Sequence, residues 1–308
     1  MAELAGVLPG TTPESWPGRI ASPEPFGPVP VGQVLVVVPV RNEEALLGAC
    51  IDYIRAAMDR LAEARPGCSA ALTLVLDSCT DTSGRIAAAA AARDPRIRIL
   101  DAQFGSVGAA RAAGAAAALD TALGGGPVLD TALGGGPVLD TALGGGPVLD
   151  SALGGGPVAL GGEPAVLGGG TTAPEAAWIA CTDADTRVPG HWLSVQATLA
   201  DAGADAVLGT VEPDPDELDA VRLGSWRRRY TQQDRHSRIH GANLGVRASA
   251  YLAAGGFESV SEHEDVRLVA RLRAAGAAVR SCPGLTTVTS GRLQGRTPAG
   301  FAGYLAGL

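Results

Sequence analysis

"QVLVVVPVRNEEALLGACIDYI" runs from Gln33 to Ile54 and changes character once. Val34 to Val38 is an unbroken aliphatic run of the kind found in parallel strands buried on both faces, and Pro39 is expected to end it. From Glu43 onward the apolar residues fall at Leu46, Leu47, Cys50, Ile51 and Ile54, the spacing of one helix face. The same order returns twice. "LTLVLDSCTDTSGRIAAAAAA" predicts a strand over Leu72 to Leu76 and a helix after Thr82, and "IRILDAQFGSVGAARAAGAAAAL" predicts a strand over Ile97 to Leu100 and an alanine-rich helix. Strand and helix alternating in this way predict βαβ units around a mostly parallel sheet, an α/β fold. Ligands on such sheets bind beyond the carboxyl ends of the strands. Those ends are Pro39 to Glu43, Asp77 to Asp81 and, after the short apolar run Trp178 to Cys181, Asp183 to Asp185.

The aspartates of "DAD" are two residues apart, so in an extended segment both carboxylates can face one cation. An Asp-rich turn leading to Pro189 and Gly190 is the other reading of the same residues. Downstream, His191 to Ala202 has helical spacing and Ala206 to Gly209 is strand-like. "GANLGVRASAYLAAGGF" leads to a helix ending at Gly255 and Gly256. After an acidic loop, a second helix starts near Glu264, with Val266, Leu268, Val269 and Leu272 on its apolar side. Glu262, Glu264 and Asp265 give its first turn the charge a helix N-terminus favours.

Composition bounds the function. The chain has 308 residues, 46% of them hydrophobic, and a net charge of -8, which argues against a nucleic-acid partner. One basic cluster, "WRRRY" at Trp226 to Tyr230, reads as a solvated helix face or as a contact for phosphate or an anionic membrane surface. Five cysteines, widely spaced and never paired as C-x-x-C, fit neither a disulfide framework nor a thiolate zinc site, so a cytoplasmic home is expected. The start of the chain does not read as a signal peptide, and no apolar run approaches the length of a membrane helix. Residues 1–31, rich in Pro and Gly, are expected to be a flexible leader to a single domain over 32–308. That domain is interrupted at 119–174 by a low-complexity insertion: "LDTALGGGPV" starts at Leu119, Leu129 and Leu139 and recurs with Ser151 from Leu149. Gly-Gly-Gly-Pro in every copy defeats helix and strand alike, which predicts a flexible surface insertion, with an ordered stacked repeat as the alternative.

"VPVRNEE", "VLDSCTDTS", "GAARAAG", "DAD", "GANLGVRASAYLAAGGF" and "HEDVRLVARL" follow one another in an order that resembles the nucleotide-sugar-dependent glycosyltransferases of family 2, which have the GT-A fold. The resemblance covers Val34 to about Leu119 and Trp178 to about Val279. It implies transfer of a sugar from a UDP- or GDP-linked donor to an acceptor hydroxyl, with Mg2+ or Mn2+. It also implies roles for single residues. Pro39, Arg41, Glu43 and Asp77 would hold base and ribose, and Arg111 would reach toward the nucleotide from the third helix. Asp183 would face ribose or metal, and Asp185 would hold the metal against the diphosphate. Asp265, with Glu264 beside it, would take the acceptor's proton in an inverting transfer, and His240, Gly241 and Asn243 would shape the donor-sugar and acceptor pocket. The acceptor is an unidentified small molecule, lipid-linked group or glycan, with peripheral contact at the inner face of the membrane as a further expectation.

Two features depart from the family pattern. Some relatives supply a metal-binding histidine past the acidic motif, whereas here no histidine follows His263 and the same stretch carries Arg292 and Arg296. The closing "GFAGYLAGL" is apolar and short, a packing helix or a membrane-facing edge. Among rivals, a dinucleotide-binding oxidoreductase needs G-x-G-x-x-G, which Gly105, Gly108 and Gly114 do not space correctly, and a P-loop is absent. A sugar-phosphate nucleotidyltransferase shares the sheet and metal logic but has no use for the acidic pair at Asp265. A catalytically inactive interaction protein on the same fold predicts no metal dependence.

Overall fold

The computed structural model describes residues 29–124, 159–161, 172–232, 239–295 and 300–308. Three strands, β1 (Gln33–Val40), β2 (Ser69–Asp77) and β3 (Ile97–Ala102), alternate with helices α1 (Leu47–Ala64), α2 (Ser83–Ala91) and α3 (Val107–Ala122). The short strands β4 (Ala159–Gly161), β5 (Ala177–Cys181) and β6 (Thr186–Arg187) precede α4 (Trp192–Asp201). After β7 (Ala206–Pro213) come α5 (Ala220–Gln232), β8 (Leu244–Arg247), α6 (Ala248–Ala253), α7 (Glu264–Ala274), β9 (Val279–Thr289) and α8 (Phe301–Ala306). The strands form one sheet in the order β4-β3-β2-β1-β5-β8-β7-β9-β6. β1, β2, β3, β5, β7 and β9 run one way, and the short β4, β6 and β8 run against them.

The unbroken apolar run of β1 is explained by its two neighbouring layers. Val34, Val36 and Val38 pack with α1 and α4, while Leu35 and Val37 pack with α3, α6 and α7, so neither face of the strand meets water. Gly114 lets α3 lie flat on the sheet: a Cβ there would stand 2.6 Å from Val37 and 2.7 Å from Val75. Pro39 does not end β1, contrary to expectation. β1 pairs with β5 only as far as Val37 and with β2 through Val40. The Val37 carbonyl accepts from Thr182 on the β5 side. Residues two apart point the same way, so the N–H that proline lacks would have faced the side where β5 has already ended.

Boundaries shift elsewhere too. Val31, assigned to the leader by composition, is buried, and its N–H donates to Asp201 at 2.8 Å. Leu119 to Ala122 belong to α3 rather than to the insertion, and Ala159–Gly161 adds an antiparallel edge to β3. The glycine repeats between 125 and 158 lie outside the described residues. The Ala122 carbonyl accepts from the Thr172 N–H at 2.9 Å, so the end of α3 and the segment leading into β5 meet at one place. The C-terminal segment is a packing helix: Leu305 of α8 is fully buried with Trp226 and Tyr230 of α5, which leave Arg227, Arg228 and Arg229 outward. All five cysteines are free. Among the described residues no helix is long and apolar enough to cross a membrane.

Candidate active site

The carboxyl ends of β1, β2 and β5 meet the residues leading into β8, because β8 runs antiparallel to β5 with Leu244 opposite Cys181. Two of these ends are locked together by reciprocal capping. The Asn42 side chain accepts from the Thr80 N–H at 2.7 Å, Glu44 accepts from the Thr82 N–H at 3.0 Å, and Asp81 accepts in return from the Glu44 N–H at 2.9 Å. Asn42 and Ser78 hold positive φ angles of 51° and 56°, and Asn is one of the few side chains that tolerates this region well. Much of "RNEE" and "DSCTDTS" is therefore loop architecture. It presents Glu43 and Asp77, both buried, toward the strand ends. Asp77 Oδ1 accepts from the Phe104 and Gly105 N–H groups at 2.7 and 2.9 Å, tying β2 to the loop before α3.

Each aspartate of the Asp183–Asp185 turn is bridged to a glutamate by an arginine. The Arg111 guanidinium donates through Nη1 to Glu264 and through Nη2 to Asp183, and its side chain is only 4% exposed. Arg292 spans Glu43 with bonds of 3.0 and 2.8 Å and reaches Asp185 at 2.7 Å. Asp185 also accepts from the Thr289 hydroxyl at 3.1 Å. Burial, with Asp183 and Glu43 nearby, pushes the Asp185 carboxyl up to about 6 against the opposing pull of Arg292. Negative charge is thus in excess where these strand ends converge.

Asp265 follows Glu264 in the first turn of α7, and its Oδ2 accepts from the Gly241 N–H at 2.6 Å. Glu264 is buried and Asp265 half-buried. The apolar side of α7 is narrower than expected, since Val266 is exposed and Glu262 precedes the helix.

The structure gathers Glu43, Asp77, Arg111, Asp183, Asp185, Gly241, Glu264 and Asp265 around the same strand ends. Pro39 is half-buried and Arg41 exposed at their rim, and His240 meets the Phe301 ring edge-on at 6.2 Å. Two expectations are corrected. Asn243 is not a pocket residue: its side chain accepts from Trp192 Nε1 at 2.9 Å and donates to the Thr210 and Leu285 carbonyls at 2.9 and 2.8 Å, which uses it as a core tie. Arg111 does not reach outward from α3: its side chain is 4% exposed and its terminal nitrogens donate to Glu264 and Asp183. Arg296 lies outside the described residues. Thr289, which supports Asp185, escapes sequence reading because a threonine in a strand carries no signal of its own.

Asp183 and Asp185 offer hard oxygen donors in a negatively charged setting, which fits a divalent cation of the Mg2+ or Mn2+ kind. Among the described residues no cluster of three His, Cys, Asp or Glu side chains makes a complete cage, so the rest of a metal shell would come from ligand and water.

No protein-family model and no curated protein sequence matches the chain. In structure it is similar to a mannosyltransferase from Pyrobaculum calidifontis solved with GDP-Man and Mn2+, at 16% identity and a TM-score of 0.50 over 89% of this chain. The chain spans 62% of the length of that protein. A glucosyl-3-phosphoglycerate synthase from Mycobacterium tuberculosis solved with Mn2+ and UDP-Glc aligns at 14% identity and a TM-score of 0.43, over 89% of this chain and 75% of that one. The likeness to the mannosyltransferase is one of fold: the chain has the GT-A fold.

Proposed function

We propose that the protein is a metal-dependent glycosyltransferase that moves a sugar from a UDP- or GDP-linked donor to an acceptor hydroxyl with inversion. The observation that carries the reading is the placement of Asp265. It stands beside the Asp183–Asp185 turn through Arg111 and Glu264, and the Gly241 N–H holds its carboxylate. A donor-side acidic turn and an acceptor-side carboxylate at the same strand ends are what a sugar transfer requires.

Asp183 and Asp185 would hold Mg2+ or Mn2+, which supplies positive charge to the leaving diphosphate when bound. Glu43 and Asp77 would accept from base and ribose donors, with Pro39 and Arg41 at the rim. Asp265 would take the proton from the acceptor hydroxyl as that oxygen attacks the anomeric carbon. Glu264 is committed to Arg111, which leaves Asp265 for this role. Gly241 and His240 would line the acceptor side. A cytoplasmic home fits the five free cysteines.

Titration with UDP- and GDP-sugars, with and without Mn2+, tests this reading. Donor turnover that depends on metal and disappears in Asp185→Ala is expected. Turnover of a sugar phosphate with a nucleoside triphosphate would favour a nucleotidyltransferase instead, and no turnover with any donor would leave an interaction protein. Retained configuration at the anomeric carbon, read by NMR, would remove the base role from Asp265.

A further inference from the structure

Arg111 lies near the start of α3, and the chain around it holds that end of the helix still. The Gly108 N–H donates to the Val260 carbonyl at 3.1 Å, and the Ser106 hydroxyl donates to the same oxygen at 2.8 Å. A Cβ on Gly108 would stand 2.6 Å from that oxygen, so only glycine lets the loop before α7 lie against α3. Gly241 is bare where the guanidinium passes: a Cβ there would come within 2.6 Å of Nη2. The same Gly241 donates its N–H to Asp265. One guanidinium therefore fixes both partners of the hydrogen bond that orients Asp265. It holds the α7 turn through Glu264 and packs against the glycine that donates.

We infer that Arg111 is a positioning residue that sets Asp265 relative to the donor-side turn, and that it is not a ligand of the nucleotide. The inference rests on the glycosyl-transfer reading above and deepens it. The side chain is 4% exposed and its fork already faces Glu264 and Asp183, so burial, more than any shortage of N–H groups, keeps it from presenting a donor pair to a phosphate or a base. A point charge cannot reproduce the fork that spans two carboxylates, so Arg111→Lys keeps the charge while loosening the geometry.

The test compares wild type, Arg111→Lys and Glu264→Gln by three readouts: calorimetric binding of UDP and GDP with Mn2+, turnover at saturating donor, and amide hydrogen exchange at Gly241 and the first turn of α7. Both variants are expected to bind nucleoside diphosphate within about threefold of wild type, to lose roughly a hundredfold in turnover as misplacement of a reacting group does, and to exchange the Gly241 amide faster. Nucleotide affinity weakened tenfold or more with turnover preserved would make Arg111 a nucleotide ligand and overturn the inference. Unchanged exchange at Gly241 would overturn it as well. If wild type binds nucleotide but transfers no sugar, the proposed function fails by that result alone, while the exchange measurement still decides whether Arg111 holds Asp265.

Discussion

Arg111 and Arg292 each join one aspartate of a single three-residue turn to a glutamate, yet they come from opposite kinds of structure. Arg111 projects from a helix packed flat on the sheet and is 4% exposed; Arg292 follows the last strand and is 34% exposed. The difference lies in the guanidinium and not in the carboxylates, since Glu264, Glu43 and Asp185 are 4%, 6% and 12% exposed and Asp183 is 37% exposed: a buried guanidinium has no solvent to leave into, whereas one at the rim can exchange a partner for water or an incoming ion. The same charge pattern thus makes a strut on one side of the turn and a displaceable latch on the other. On the proposed reading a cation with a diphosphate would take the place of Arg292 on Asp185, whereas the buried position of Arg111 leaves no such exchange.

The strongest test of this division acts on the far end of the strut. If Asp265 receives the acceptor proton, Asp265→Asn preserves shape and removes the base, and it should cut transfer by roughly a hundredfold to ten-thousandfold. UDP or GDP affinity should stay unchanged, because the donor side is held by other residues. A variant that transfers normally would detach the acidic helix from the chemistry and leave Arg111 with a purely structural task.

Stability separates the two arginines next. Arg111→Met strands Glu264, which is 4% exposed, and should cost about 3–5 kcal/mol, as breaking a buried pair does, while Asp183 at 37% exposed can turn to water. Arg292→Met removes a guanidinium that is 34% exposed but leaves Glu43 and Asp185, only 6% and 12% exposed, without it, and should cost less than the buried strut, about 1–3 kcal/mol. Denaturant unfolding of both variants checks this, and equal losses would erase the distinction between strut and latch.

A smaller effect is expected on cation affinity. Arg292 neutralises Asp185, so Arg292→Gln should tighten Mn2+ binding in the absence of nucleotide on the order of tenfold, given Coulomb energies at these separations. Electron paramagnetic resonance titration of free Mn2+ reads it directly. Weaker binding in the variant would mean that Arg292 supports the cation site instead of competing for it.

What the sequence makes legible follows the range of the interaction. β1, β2 and β3 with their helices are readable because an aliphatic run and a helical spacing are local, and each helix buries its stripe on the strands beside it. The second half of the sheet is harder. β7 continues past Gly209 to Pro213, beyond its short apolar run, and β9 carries no plain sign of itself, because Pro283 and Gly284 interrupt it and only its later residues alternate between half-buried and buried. β7 and β9 also change register between Leu208 and Thr210, an irregularity that no periodicity announces. At the site, residue types are legible and partners are not. Arg111 and Glu264 are 153 positions apart, and Arg292 and Glu43 are 249 apart, so only the folded sheet brings them together. Asn243 misleads for a related reason: an amide suits a sugar pocket and a core tie equally well, and burial decides.

The smallest effect is expected where the sequence is strangest. Excising Leu119 to Val148 removes three copies of the ten-residue repeat, and because the fourth begins "LDSA" it supplies the end of α3 in the same register, with Ser151 in place of Thr121. Leu119 and Ala122 are buried there, so a cut in any other frame would break the helix face, whereas this one restores leucine and alanine at the positions that pack. The Ala122 carbonyl and the Thr172 N–H are hydrogen-bonded, so the two ends need no long connection, and the residues at 153–158 are what remains to reach β4 on the edge of β3. Loop closure changes slowly with length, so shortening it should shift stability by less than about 1 kcal/mol. Donor turnover should be unchanged, because both arginine bridges stand on residues outside the deleted stretch. A large loss of thermal midpoint or of turnover in this in-register deletion would show that the repeats pack on the domain. If the loss fell on turnover with nucleotide binding intact, they would be acting on the side that the proposed reading gives to the acceptor, where Arg111 is inferred to position Asp265.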